Sequence, residues 1–263
     1  MTQSLGSSVI VERERSVARL VLNRPPLNLL DLETIHQLNV ELGEVLSDDS
    51  VRLIEIQGTE SFSAGVEIRD HFPDRAPQML REFHALIRAV LYARCPTLAV
   101  VCGHCLGGGL ELAMACDFII ASDGARFAQP EIKVGCFPPV AAVLLPRLIP
   151  EKKALEMILT AQAIGAEEAY RWGLVSRVAP AAALERVANE FSNALLAQSP
   201  QVLALARKAA RLGSRETFES VLRESERIYV EELLPAADVS EGLRAFLEKR
   251  PPHWMPSGPQ PRE

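Results

Sequence analysis

The run Gly103-His104-Cys105-Leu106-Gly107-Gly108-Gly109-Leu110-Glu111-Leu112-Ala113-Met114-Ala115-Cys116-Asp117 decides how this chain is read. The apolar run at 96–101 before it and residues 118–121 after it have strand character, and 110–116 reads as helix. Three glycines between a strand and a helix leave backbone N–H groups unobstructed where the helix dipole is positive. Two such donors converging on one point stabilise developing negative charge, as on a thioester oxygen becoming an enolate. The same glycines would equally serve a tight turn and close helix packing. Glu111 falls in the first helical turn, where an acid suits the dipole even without chemistry. Glu131 follows Gln129-Pro130, and the proline holds the residue before it extended. Two carboxylates on opposite sides of a cleft can hold one water, one removing its proton and the other protonating carbon, provided that burial moves their acidities toward neutrality. Their spacing in sequence does not show that they meet.

Outward from this motif the pattern alternates. Residues 17–22 and 51–57 read as strands around a helix over 31–46, with apolar positions at Leu32, Ile35, Leu38, Leu42, Val45 and Leu46. Asp31, Glu33 and Thr34 mark the helix start, and Arg24-Pro25-Pro26 forbids helix just before it. After Phe62-Ser63-Ala64-Gly65, the polar stretch 69–78 reads as an exposed loop with the makings of a mobile lid, and helix resumes over 79–93. Strand and helix in alternation imply α/β architecture with parallel sheets and helices outside. From about Pro200 the pattern turns helical, in a segment with Val202, Leu203, Leu205 and Ala206, then 218–234 and 240–249. This divides the chain into a core at 1–198 and a helical region at 199–263.

The composition narrows the function classes. With 263 residues, 48% hydrophobic and 24% charged, the chain is an enzyme-sized globular body. A net charge of −6 supplies no basic face for nucleic acid. No apolar run approaches a membrane span, and residues 1–20 lack a basic leader followed by a long apolar stretch, so cytoplasmic location is the expectation. Five cysteines without an extracellular signal read as reduced thiols. Cys102-Gly103-His104-Cys105 has CxxC spacing, but it straddles the glycine turn and no second ligand pair follows, so redox and metal roles are set aside. His104 is placed to assist proton transfer or simply to pack. Histidines 36, 71, 84 and 253 form no ligand pattern, and no metal or separate cofactor is expected.

The glycine run with Glu111, followed by Phe127-Ala128-Gln129-Pro130-Glu131 and joined to Phe62-Ser63-Ala64-Gly65-Val66-Glu67-Ile68, resembles the signature of the enoyl-CoA hydratase (crotonase) family. The likeness runs from Asn23-Arg24-Pro25 through Gly173-Leu174-Val175 to residues 241–251, nearly the whole chain. It implies the crotonase (ClpP-like) spiral of ββα turns with a helical C-terminal trimerisation region, assembled as homotrimers or as hexamers of paired trimers. It implies that Val66 and Gly108 supply the oxyanion-hole N–H groups and that Glu111 and Glu131 are the acid/base pair. An acyl-CoA thioester is then the substrate, coenzyme A being carried on it, with Ala64, Gly65, Val66, Ile68 and Arg69 near its adenine end. Arg24, Arg69 and Lys249 are candidate partners for its phosphates, against the alternative of solvated surface charges. Relatives with other reactions keep the hole but lack one glutamate, so the pair favours water addition over isomerisation, decarboxylation or ring hydrolysis on the same scaffold. The acidic balance and the pair also weigh against the RNA-binding or assembly members of this fold. Hydratases of linear chains typically place a glycine-rich turn after the second glutamate, where this chain has Gly135-Cys136-Phe137-Pro138-Pro139-Val140. That stretch, on to Pro146, together with Phe62-Ser63-Ala64-Gly65 and the run 107–113, resembles the hydratases of cyclohexa-1,5-diene-1-carbonyl-CoA and implies a compact alicyclic acyl group.

Overall fold

The computed structural model describes residues 7–254, without the side chains of 212–216. The first six residues of the stretch read for a leader, and the last nine of the helical C-terminal region, lie outside the described residues. The larger sheet has the order β1-β2-β3-β4-β6-β9 and the smaller one the order β5-β7-β8. In the larger sheet, β2 (Val17–Leu22), β3 (Leu53–Gly58), β4 (Thr97–Val101), β6 (Phe118–Ser122) and β9 (Arg177–Ala179) pair in parallel. Helices cover both faces of such strands, so they read as apolar runs: β4 is buried at every position.

β1 (Val9–Glu14) pairs antiparallel with β2 and was not foreseen from sequence. It is the edge strand, buried only at Val9, and its Glu12, Arg13 and Glu14 erase the alternation that would have revealed it. α1 (Leu32–Ser47) starts where expected: the Asp31 carboxylate accepts the Thr34 N–H at 2.9 Å, and Ile35, Leu38, Leu42 and Val45 are buried along one face.

The spiral shows in how the chain visits the two sheets. β4 enters the large sheet, β5 (His104–Leu106) the small one, and α3 (Gly108–Ala115) returns the chain; β6 and β7 (Arg126–Ala128) then repeat the step one layer on. Parallel pairing of β5 with β7, and a parallel bridge between Ser63 and Cys105, stack successive turns. α4 (Pro139–Leu148), α5 (Glu151–Thr160), β8 (Ile164–Gly165) and α6 (Ala166–Arg171) continue the winding to β9, and α7 (Leu184–Leu196) covers a second apolar cluster on the large sheet.

The stretch 69–78 differs from the expected exposed lid. Ile68–His71 is a 3-10 turn in which Asp70 and His71 are buried, and α2 already begins at Ala76 (Ala76–Leu91). Asp70 accepts the Leu32 N–H at 3.1 Å and pairs with Arg75 at 2.8 Å, so one buried carboxylate ties the segment to α1 while Arg69, Asp74, Arg75 and Gln78 remain exposed.

The C-terminal helices α8 (Pro200–Ala210), α9 (Leu212–Arg227) and α10 (Ala237–Leu247), with a π-helical turn Ile228–Leu233 after α9, are not detached from the core. α9 packs on α4 and α10 on the 3-10 turn Glu131–Val134. Arg207 and Arg211 reach the carboxylate of Asp117 at 2.6 and 2.7 Å.

Candidate active site

The glycine turn serves packing and donor geometry together. Gly107 has φ +51°, and a Cβ there would sit 2.5 Å from Glu131 Oε1; a Cβ on Gly108 would meet Val66 Cγ2 at 2.6 Å and lie 3.5 Å from the Val66 nitrogen. The bare turn therefore lets the Glu131 carboxyl and the Val66 backbone close on the start of α3. Gly108, in the first turn of α3, has no helical carbonyl behind its N–H. Val66 forms a parallel bridge with Leu30 through its neighbours: Leu30 N–H donates to the Gly65 carbonyl at 2.9 Å and Glu67 N–H to the Leu30 carbonyl at 3.1 Å. The Val66 N–H therefore points away from Leu30. The Val66 backbone nitrogen thus lies close to the start of α3, where the Gly108 N–H has no helical acceptor; two such donors converging on one point is what an oxyanion requires.

Glu111 and Glu131 line one cavity with Val66, His71, Met79, Leu80, Phe83, His84, Gly108 and the wall Phe137-Pro138-Pro139-Tyr229. Its free space for water centres is about 20 Å³, enough for about one water. Glu111 is 4% exposed, and its Oε1 accepts the Ala141 N–H at 2.8 Å. That donor belongs to the first turn of α4, so Glu111 caps a helix other than its own, and Pro139 at the first position of α4 starts it. Burial pushes the Glu111 carboxyl up to about 7, against the pull of the Ala141 and Val140 N–H groups. Glu131 enters from a 3-10 turn whose Ile132 and Lys133 are exposed, yet its Oε2 is buried without a partner among the described residues. Burial, and then the charge of Glu111, push its acidity well above the ordinary carboxyl value. The Ala141 and Val140 N–H groups favour charge on Glu111, whereas Glu131 Oε2 has no such donor, and the two carboxyls titrate as a pair.

A family model described as enoyl-CoA hydratase/isomerase matches residues 12–257. The chain belongs to the enoyl-CoA hydratase/isomerase family. This hydratase-type enzyme is 38% identical to cyclohexa-1,5-dienecarbonyl-CoA hydratase of Thauera aromatica, over 94% of this chain and 95% of the relative. It is 34% identical to carnitinyl-CoA dehydratase of Escherichia coli strain K12, over 95% of this chain and 99% of the relative. Its fold is similar to the crystal structure of an enoyl-CoA hydratase from Mycobacterium avium subsp. paratuberculosis, with a TM-score of 0.86 and 27% identity over 95% of this chain and 99% of that one. The chain thus has the crotonase fold and is an enzyme of the hydro-lyase type acting on coenzyme A thioesters.

The other expected residues of this hydratase lie outside the cavity. Ala64 and Gly65 form the approach to Val66; the Ala64 N–H donates to the Leu27 carbonyl at 2.8 Å. Ile68 and Arg69 sit on the following 3-10 turn, against which α10 packs, and the exposed Lys249 follows the end of α10. Arg24 is engaged with Asp31 at 3.0 Å and with the Leu29 carbonyl at 3.1 Å. His104, the histidine next to the motif, is exposed on β5 and is absent from the cavity wall; His71 and His84, on the turn before α2 and on α2, line it instead. The Cys102 and Cys105 thiols are pushed up by burial, which suits packing. Sequence reading missed His84 and Tyr229. A histidine among Met79, Leu80 and Phe83 on an apolar helix face was the available signal, and it is weak.

Proposed function

We propose that this enzyme adds water to an α,β-unsaturated thioester, with cyclohexa-1,5-diene-1-carbonyl-CoA, an intermediate of aromatic-compound degradation, as its substrate. The observation that carries the reading is the single water-sized cavity shared by Glu111, Glu131, Val66 and Gly108. The thioester oxygen accepts from the Val66 and Gly108 N–H groups, which draws electrons from the β-carbon. Glu111, whose ionised form the N–H groups of α4 favour, takes a proton from water as oxygen attacks that carbon. Glu131, held protonated by burial and by Glu111, delivers its proton to the α-carbon. The coenzyme A moiety runs over Ala64–Arg69 with its phosphates near Arg24, Arg69 and Lys249, and no further cofactor takes part.

The acyl assignment rests on the similarity to the Thauera enzyme and on the rigid wall of Phe137, Pro138 and Pro139, closed by Tyr229. The cavity as it stands takes a water and not a ring, so the acyl group seats by displacing flexible Met79 and Leu80 from the opposite wall. The test is a panel of linear and cyclic thioesters followed by loss of the conjugated double bond and by appearance of the hydroxylated product. The cyclic dienoyl thioester is turned over at the highest kcat/KM. Good hydration of crotonyl-CoA with none of the cyclic dienoyl thioester would overturn the acyl assignment and leave the hydratase chemistry standing.

A further inference from the structure

His84 is fully buried on α2 and reaches across to α9, 142 positions on: its Nδ1 lies 2.5 Å from Glu226 Oε1. Arg88 Nη2 approaches the same oxygen at 3.4 Å, while its Nε donates to Glu219 at 3.1 Å. The His84 hydrogen bond, and behind it the charges of a protonated His84 and of Arg88, hold the Glu226 carboxyl below its ordinary value, so it accepts and Nδ1 carries the hydrogen. In the neutral ring that leaves Nε2 as an acceptor. Nε2 is buried and has no partner among the described residues, and His84 lines the cavity holding Glu111 and Glu131. A buried acceptor left unmade costs ~1–3 kcal/mol. Such an atom in a reaction cavity is placed for a donor that arrives with the reactants.

We infer that His84 Nε2 accepts the second O–H of the attacking water, with Glu226 as the positioning residue that fixes the imidazole tautomer. This rests on the hydratase reading above. A water has two O–H bonds, and the proposed base uses one. As the oxygen lone pair forms the C–O bond at the β-carbon, the double-bond electrons move toward the thioester oxygen and Glu111 takes one proton. The enolate then takes the Glu131 proton at the α-carbon. The second O–H is never broken; it becomes the product hydroxyl, donated to His84. Glu111 finishes protonated and Glu131 ionised, and a proton passing between them after product release restores the pair. A buried water needs two to four polar partners, and Glu111, Glu131 and His84 supply three. With one acceptor on each O–H, the reacting lone pair is aimed at carbon.

The test compares two rates in the full-length enzyme: hydration of the unsaturated thioester, and exchange of the α-protons of the saturated thioester with deuterated water. The second uses the oxyanion donors and a carboxylate but adds no water. His84→Phe removes the acceptor; Glu226→Leu removes the carboxylate that holds the hydrogen on Nδ1 and so frees the ring to carry it on Nε2. In both variants hydration falls roughly tenfold or more relative to exchange, the worth of about one hydrogen bond in the transition state. A parallel fall of both rates in both variants would make His84 structural, and unchanged hydration would make it a bystander; either overturns the inference. So would a selective loss in Tyr229→Phe with none in His84→Phe. If the parent enzyme hydrates no thioester of the panel, the hydratase reading fails and takes this inference with it; failure confined to the variants sinks only the inference.

Discussion

The buried Oε2 of Glu131 and the raised Glu111 carboxyl put two acids of raised pKa side by side in one cavity, where they titrate together. For a carboxyl whose folded value is raised, the folded state binds the proton more tightly than the unfolded chain. Its cost to stability is therefore absent below the unfolded value, near pH 4–5, and grows as pH rises through the folded value. Glu131→Gln removes that cost, so its melting temperature exceeds the parent's at pH 8 by about 2–4 °C for each kcal/mol regained, and the gain disappears at pH 5. Calorimetry at the two pH values checks this. The same pair gives kcat/KM a bell shape: the acid limb falls as Glu111 takes up a proton with a midpoint near 7, and the alkaline limb falls as Glu131 loses its own. A flat profile from pH 6 to 9 would contradict the shared proton.

At the scale of elements, the strand–glycine turn–helix unit was legible because each residue type in it answers to a backbone demand. Gly107 shows this most directly. Gly107→Ala drives a Cβ into Glu131 Oε1 at a left-handed φ, so the carboxyl shifts and hydration drops by roughly a hundredfold or more, measured as kcat on the best thioester of the panel. Other elements were hidden for physical reasons. α4 was not foreseen, because a Pro138-Pro139 pair does not announce a helix; Pro139 occupies the first helical position, where its missing N–H is no loss, and the next donors hold Glu111. The small sheet of β5, β7 and β8 has strands of two or three residues, too short for any alternation to register. His84 and Glu226 become partners only through the packing of α9 beside α2, which no local pattern encodes.

For the whole molecule, the family resemblance gave what periodicity gave only as α/β plus helices. The boundary near residue 198 follows the change in pattern, yet the cavity crosses it: Tyr229 closes the wall against Phe137, edge to face at 5.2 Å, and Ser225 Oγ donates to the Pro139 carbonyl at 3.2 Å. Removing the chain after residue 198 is expected to abolish hydration and expose α4, read as dye binding and loss of cooperative melting. The exposed Leu148 and Leu205 line a groove of about 710 Å³ with Met114 and Phe218. The trimer that the resemblance implies would cover this apolar surface with the neighbouring copy. Leu148→Glu with Leu205→Glu then yields monomers by light scattering, and an unchanged mass would remove this groove from the interface.

The central claim is that Glu111 and Glu131 act together on one water, and single-turnover hydration of cyclohexa-1,5-diene-1-carbonyl-CoA by the parent, Glu111→Gln and Glu131→Gln enzymes tests it most directly. The account predicts that each variant still binds the thioester and loses about 10²–10⁴-fold in rate. Near-parental turnover in either variant would contradict it.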